Sequence, residues 1–195
     1  GKVVPPVHVM DKSKKLETIN DRIDTVKARL EVMLRDAKLR AYDREKAGED
    51  AATVASELEQ ETAALRDDLA FLEKTNFGGE FLPREGQERI KRIAERTLEM
   101  GGERVPLLTA EEVQNLSISR GTLTEKERLV INAHMVHTVN ILHALPFPPN
   151  LRRVPEYATG HHEKMDGTGY PRGIYAGDMS VPARISALSS SAPIE

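Results

Sequence analysis

The residues best placed to do chemistry lie together in His161-His162-Glu163-Lys164-Met165-Asp166-Gly167-Thr168-Gly169-Tyr170-Pro171. Adjacent histidines project to different sides of a chain, so the pair is placed to serve two neighbouring metal ions. Neutral imidazole is a common ligand for first-row transition metals. Glu163 is positioned to orient a histidine from behind the metal. Gly167 and Gly169 let the backbone turn tightly and approach a ligand closely. Tyr170 offers a flat face and a hydroxyl, and Pro171 stiffens the loop. For Asp166 two readings stand, a carboxylate that caps its own loop and one that supports a metal site. A further imidazole, His134, shares a helical face with Ile131, Thr138 and Ile141. An imidazole turned into such an apolar face needs a partner, and a metal would satisfy it. The chain has no cysteine, so any metal must be held by histidine and carboxylate. His8, His137 and His143 sit in no comparable pattern.

Helices must carry these groups. Leu16, Ile19, Ile23, Val26, Leu30 and Met33 alternate three and four apart, predicting a long helix over 13–46 that ends at Gly48. Asp50 can cap a second helix to Thr75 with its stripe on Val54, Leu58, Leu65, Leu69 and Leu72, again near heptad spacing. Joined by a few residues, the two predict an antiparallel hairpin. A third helix is expected over 84–98, stopped by Gly101-Gly102. Thr109 with Glu112 and Thr124 with Glu127 are capping-box pairs. The second opens a helix over 125–145, ended by Pro146, Pro148 and Pro149. A helix over 151–162, the Gly-rich loop 166–177 and a last helix after Pro182 follow. No run reads as a strand, so the expected fold is all-α.

Composition narrows the function. Aromatics make up 4% and Trp is absent, so aliphatic residues must fill the core. A net charge of -3 argues against a DNA-binding surface, which needs excess positive charge to meet phosphates. No apolar run is long enough to span a bilayer and no signal peptide opens the chain, which makes a cytoplasmic location the expectation.

The string from His161 to Pro171 resembles the HHE-xx-DG-x-GYP signature of the HD-GYP family. Leu123 to Arg128 resembles that family's helix start, Asn132-Ala133-His134 its helix with a lone ligand histidine, and Pro182-Ala183-Arg184-Ile185 the opening of its next helix. Gly1-Lys2-Val3 resembles the tail of its H-D-x-G-K-[IV] motif. The lead-in Leu116 to Thr124 resembles that of a bacterial subgroup with a similar insert, here over 11–119.

The resemblance implies an HD-superfamily-like helical bundle, present in part, with a long antiparallel helical hairpin inserted. It implies a metal-dependent hydrolase, a phosphodiesterase of cyclic di-GMP in bacterial signal transduction, using iron or manganese. His134, His161 and His162 would be metal ligands and Lys2 the lysine that reaches the scissile phosphate. Glu163 and Asp166 would support the ligands, and Gly169, Tyr170 and Pro171 would contact substrate. Expected segments are 1–10 as a remnant of the His-Asp region, 11–78 as the hairpin insert, 79–122 as linking helices, and 123–195 as the C-terminal part of the domain.

The family's His-Asp pair would fall before Gly1, and its later Ala-Asp step falls near Ser189-Ser190, with Ser190 where the Asp belongs. The chain therefore reads as an incomplete copy, truncated at both ends, with its enzymatic activity left open. The alternative is a degenerate nucleotide-sensing or protein-interaction module. A homodimer through the hairpin and a signalling protein at the Gly-Tyr-Pro loop are the further partners expected. The hairpin has a plainer reading beside dimerisation, a spacer packed on itself.

Overall fold

A computed structural model describes residues 6–190. Lys2, the expected phosphate contact, lies outside them, as do the side chains of Ser189 and Ser190. Residues 11–124 form one compact unit; the flanking stretches, 6–10 and 125–190, form the other.

The first unit is built on a hairpin of α2 (Ile23–Lys46) and α3 (Ala51–Asn76). Between them Gly48 takes a φ of 93°, a conformation that L side chains avoid. Asp50 caps α3 by accepting from the Thr53 N–H at 2.9 Å. Ion pairs Arg44–Glu57, Arg40–Glu61 and Lys27–Glu73 run in opposite directions along the two helices and mark them as antiparallel. Val26, Leu30, Leu34, Leu65 and Leu72 are buried with Ile90 and Ile93 of α4 (Arg84–Ala94) and with Leu107 and Leu116. The heptad-like seam is thus consumed within one chain, which removes the observation that motivated a dimer through it. Thr109 caps α5 (Ala110–Leu116) with a capping box completed by Glu112.

Three expectations are corrected here. The first long helix begins at Ile23 rather than near Ser13. Residues before it are held instead by the end of α3, where Lys15 N–H donates to the Asn76 carbonyl at 2.7 Å and Leu16 N–H to Asn76 Oδ1 at 2.8 Å. Ile19, assigned to the seam, is 85% exposed. Next, α4 stops at Ala94, and an unexpected antiparallel hairpin follows, β1 (Thr97–Met100) and β2 (Glu103–Pro106), with Leu98 opposite Val105. Its turn is Gly101-Gly102, with φ values of 61° and 84°. Two successive positive φ values match a turn whose twist suits a tight hairpin. The third correction is the helix expected over 151–162. It is a single short turn, α7 (Val154–Ala158).

The second unit contains α1 (Val7–Met10), α6 (Glu125–Ala144), α7 and α8 (Val181–Ser190). α1 and α7 pack on α6, and α8 packs on α7. Gly160 allows that last contact: a Cβ there would sit 3.1 Å from the Ala183 Cβ. Met179, Ala183 and Ala187 form a small core with Ile174. No helix among the described residues is long and apolar enough to cross a membrane.

Lys15 is a buried charge in the 11–124 unit. It is 1% exposed, and its Nζ donates to the Leu116 and Ile118 carbonyls at 3.0 and 2.8 Å, at the C-terminal end of α5. Burial pushes its ammonium from 10.5 down to about 8. Between these values the unfolded chain holds a proton that the folded chain has released, so stability rises with pH across that window. Urea denaturation should show the wild type gaining on Lys15→Met from pH 8 to pH 10.5. A constant difference would show that Lys15 does not titrate this way.

Candidate metal centre

Three imidazoles converge in the second unit. His134 comes from the middle of α6, and His161 and His162 follow the turn that ends α7. One nitrogen from each lies within 4.8 Å of the others. The His134 and His162 rings meet edge to face with centroids 5.2 Å apart, and the His161 and His162 rings lie 4.1 Å apart. The adjacent pair therefore converges rather than dividing between two sides. The reason is local: residues 160–162 form a turn, not the extended chain in which successive side chains alternate.

The tautomers follow from the backbone. His134 Nδ1 meets the Ile131 carbonyl, and His161 Nδ1 lies 2.7 Å from the Ala158 carbonyl. A carbonyl only accepts, so each Nδ1 carries the hydrogen and leaves Nε2 with a free lone pair. Metal-ligating histidines are commonly fixed in this manner. Burial, followed by the charges of His161 and His134, holds the His162 imidazole below its ordinary value, which keeps it neutral and able to ligate. Neutral imidazole suits a first-row divalent cation, and three such nitrogens within 4.8 Å of one another are a donor set of the right chemistry to hold one. His8, His137 and His143 are exposed. Ile141, expected on the buried face of α6, is 44% exposed, so that face is less covered than its spacing suggests.

A loop folds back over the pair. Tyr170 stacks on His162 with centroids 4.8 Å apart and planes 12° apart, and its N–H donates to the His162 carbonyl at 3.1 Å. The Tyr170–Pro171 peptide is cis. At Gly169 a Cβ would fall 2.3 Å from Lys164 N and 2.4 Å from Glu163 Cα, so only glycine allows the approach. Glu163 fixes the far end. Its side chain has no exposed surface, and its two oxygens accept from the Arg172 and Ile174 N–H groups at 2.8 and 3.1 Å. The carboxylate thus serves the loop rather than an imidazole. Asp166 accepts from the N–H and hydroxyl of Thr168 at 2.9 and 2.6 Å, which lowers its carboxyl below the usual range. It caps its own turn, the first of its two sequence readings. Sequence reasoning missed Arg172 and Ile174, whose part is played by the backbone and leaves no side-chain signature.

The profile of the HD domain family matches residues 82–191, more than half of the chain. The chain belongs to the HD domain family. Its fold agrees, being helical apart from one two-stranded hairpin among the described residues. Within the family it is similar to 3'3'-cGAMP-specific phosphodiesterase 3 of Vibrio cholerae serotype O1, with 42% identity over 66 residues, 33% of this chain and 14% of the relative. It is also similar to 3'3'-cGAMP-specific phosphodiesterase 1 of that organism, 36% identical over 83 residues, 43% of this chain and 18% of the relative. A third relative, a probable cyclic di-GMP phosphodiesterase from the same source, is 53% identical over 34 residues, 17% of this chain and 8% of the relative. The HD-domain chain thus spans less than a fifth of the length of these relatives. No solved structure gives a significant match.

Hydrogen bonds to a charged acceptor are worth about 1.5–3 kcal/mol each. Glu163→Ala should therefore raise amide exchange at Arg172 and Ile174 by about tenfold or more, since about 1.4 kcal/mol corresponds to that factor. Unchanged protection at both positions would mean that the carboxylate does not hold the loop.

Proposed function

We propose that this HD domain is the metal-bearing part of a cyclic dinucleotide phosphodiesterase, with cyclic di-GMP as substrate. The observation that carries the reading is the convergence of His134, His161 and His162, with the Nε2 lone pairs of His134 and His161 left free by their Nδ1 contacts. The names of the similar proteins support the substrate class.

In this reading the three histidines hold a divalent cation, iron or manganese, and Glu163 keeps the loop in place behind them. A cation there supplies Lewis-acid chemistry, activating water near neutral pH and neutralising phosphate charge. Hydrolysis adds water across one phosphodiester P–O bond and opens the ring. Gly169, Tyr170 and Pro171 present the surface that meets the dinucleotide, and Tyr170 shields one face of His162 from solvent. Asp166 shapes that loop. Lys2 is the residue proposed to reach the phosphate. The segments 1–10, 11–78, 79–122 and 123–195 keep their proposed parts as motif remnant, hairpin insert, linking helices and C-terminal portion of the domain. The proposed setting is cytoplasmic, with a signalling protein as a further partner at the Gly-Tyr-Pro loop.

A second reading, a nucleotide-sensing module without turnover, draws on the donor set. Among the described residues the cluster is three imidazoles with no carboxylate to bridge two ions.

The test is to load the protein anaerobically with iron or manganese and supply cyclic di-GMP and 3'3'-cGAMP in parallel. The first reading expects hydrolysis of cyclic di-GMP, lowered by about 100-fold or more in His162→Ala, more than 2.7 kcal/mol of barrier. Turnover of 3'3'-cGAMP alone would move the substrate within the class. Nucleotide binding without turnover by the metal-loaded protein would favour the second reading.

A further inference from the structure

The two adjacent histidines are carried by little regular structure. α7, just before them, is a five-residue helix, and helices that short are marginal on their own. The chain then turns through 159–163, with Gly160 N–H donating to the Tyr157 carbonyl at 3.3 Å and Glu163 N–H to the Gly160 carbonyl at 3.1 Å. Both ends of that stretch are buried, Thr159 and Glu163 each being 2% exposed. A group that ties Thr159 to Glu163 would fix the backbone from which His161 and His162 project.

The Arg172 side chain reaches both. Its Nη2 donates to Thr159 Oγ1 at 3.4 Å, and its Nε stands 3.9 Å from Glu163 Oε1. Thr159 is anchored in turn, its hydroxyl donating to the Pro155 carbonyl of α7 at 2.7 Å. The contact with Glu163 is an ion pair. The two backbone N–H groups that this carboxylate accepts satisfy its oxygens but leave its charge, and Arg172 is the cation paired with it among the described residues. A planar guanidinium can address two groups in different directions from different nitrogens, whereas a lysine has a single one. The Arg172 side chain is 44% exposed, so it fills no core and its replacement opens no cavity.

We propose that Arg172 is a positioning residue for the histidine centre: its guanidinium clamps residues 159–163 and so sets the placement of His161 and His162. It acts through Thr159 and Glu163, one on either side of the pair. The residue joins loop to turn twice, its N–H holding Glu163 from the backbone and its side chain closing the other end on Thr159. The consequence for metal binding rests on the cation reading proposed above; the clamp itself does not.

Arg172→Met, which keeps the stem, and Arg172→Lys, which keeps a charge beside Glu163, test this in the full chain. Hydrogen exchange without metal reads the turn itself. Arg172→Met should speed exchange at the Gly160 and Glu163 N–H groups by about fivefold, with exchange inside α6 unchanged and Arg172→Lys closer to the wild type. Manganese titration by calorimetry reads the consequence, an affinity about tenfold lower in Arg172→Met and partly restored in Arg172→Lys. Exchange in Arg172→Met that matches the wild type at both N–H groups would overturn the proposal. So would exchange raised equally throughout α6, which marks a general loss of stability, or a manganese affinity that Arg172→Met leaves unchanged. A wild type that binds no manganese would end the cation reading, and the exchange result would still decide the clamp.

Discussion

A carboxylate without exposed surface must find donors, and the donors that Glu163 finds are the backbone amides of Arg172 and Ile174. Leaving it unpaired would cost more than the two bonds return, because a buried charge has no water to fall back on. The loop between them is therefore closed on the residue that immediately follows His161-His162. Once it is closed, Gly169 lies against the backbone of 163–164 and Tyr170 is laid flat on His162. Histidine geometry and loop geometry are one constraint in this unit. The same short stretch of sequence supplies both the donors and the staple that orders what covers them.

The 11–124 unit obeys the same logic with different groups. Its apolar hairpin core is ordinary, but the chain on either side of it is tied by buried polar groups. Lys12 reaches Asn115, Lys15 reaches the end of α5, and Asn76 holds both Leu16 and Asp21. Residues 11–16 and 115–122, where the chain enters and leaves the unit, are thus fastened to each other. A unit whose two ends are fastened can interrupt another fold at the cost of one closed loop, and closure cost grows only slowly with loop length. On this account the hairpin need not dimerise to be stable.

Local signals were legible in the sequence. Asp50 and the Thr109–Glu112 pair cap the helices that they announce, and the helix from Glu125 carries His134 as its spacing requires. The convergence of three histidines was implied by family resemblance alone. Long-range bonds were not legible. Leu16, Ile19 and Ile23 mimic a helical stripe, but Asn76 and the 116–118 carbonyls, sixty and a hundred residues away, claim that segment. Leu98 continues the spacing of Ile90 and Ile93, yet Thr97 to Met100 pairs with 103–106 because Gly101-Gly102 turns the chain instead of merely ending a helix. Two residues of alternation are too few to signal a strand. The partners of Glu163 lie nine and eleven positions on and bond through backbone, which no side-chain pattern reveals.

The central claim is that His134, His161 and His162 form a cation site. Metal titration of the folded chain, prepared without air and followed by calorimetry with manganese or iron, tests it most directly. The account predicts one site whose affinity collapses in each of His134→Ala, His161→Ala and His162→Ala and survives in His137→Ala and His143→Ala. Binding that persists in all three ligand variants, or that depends on His137 or His143, would contradict it.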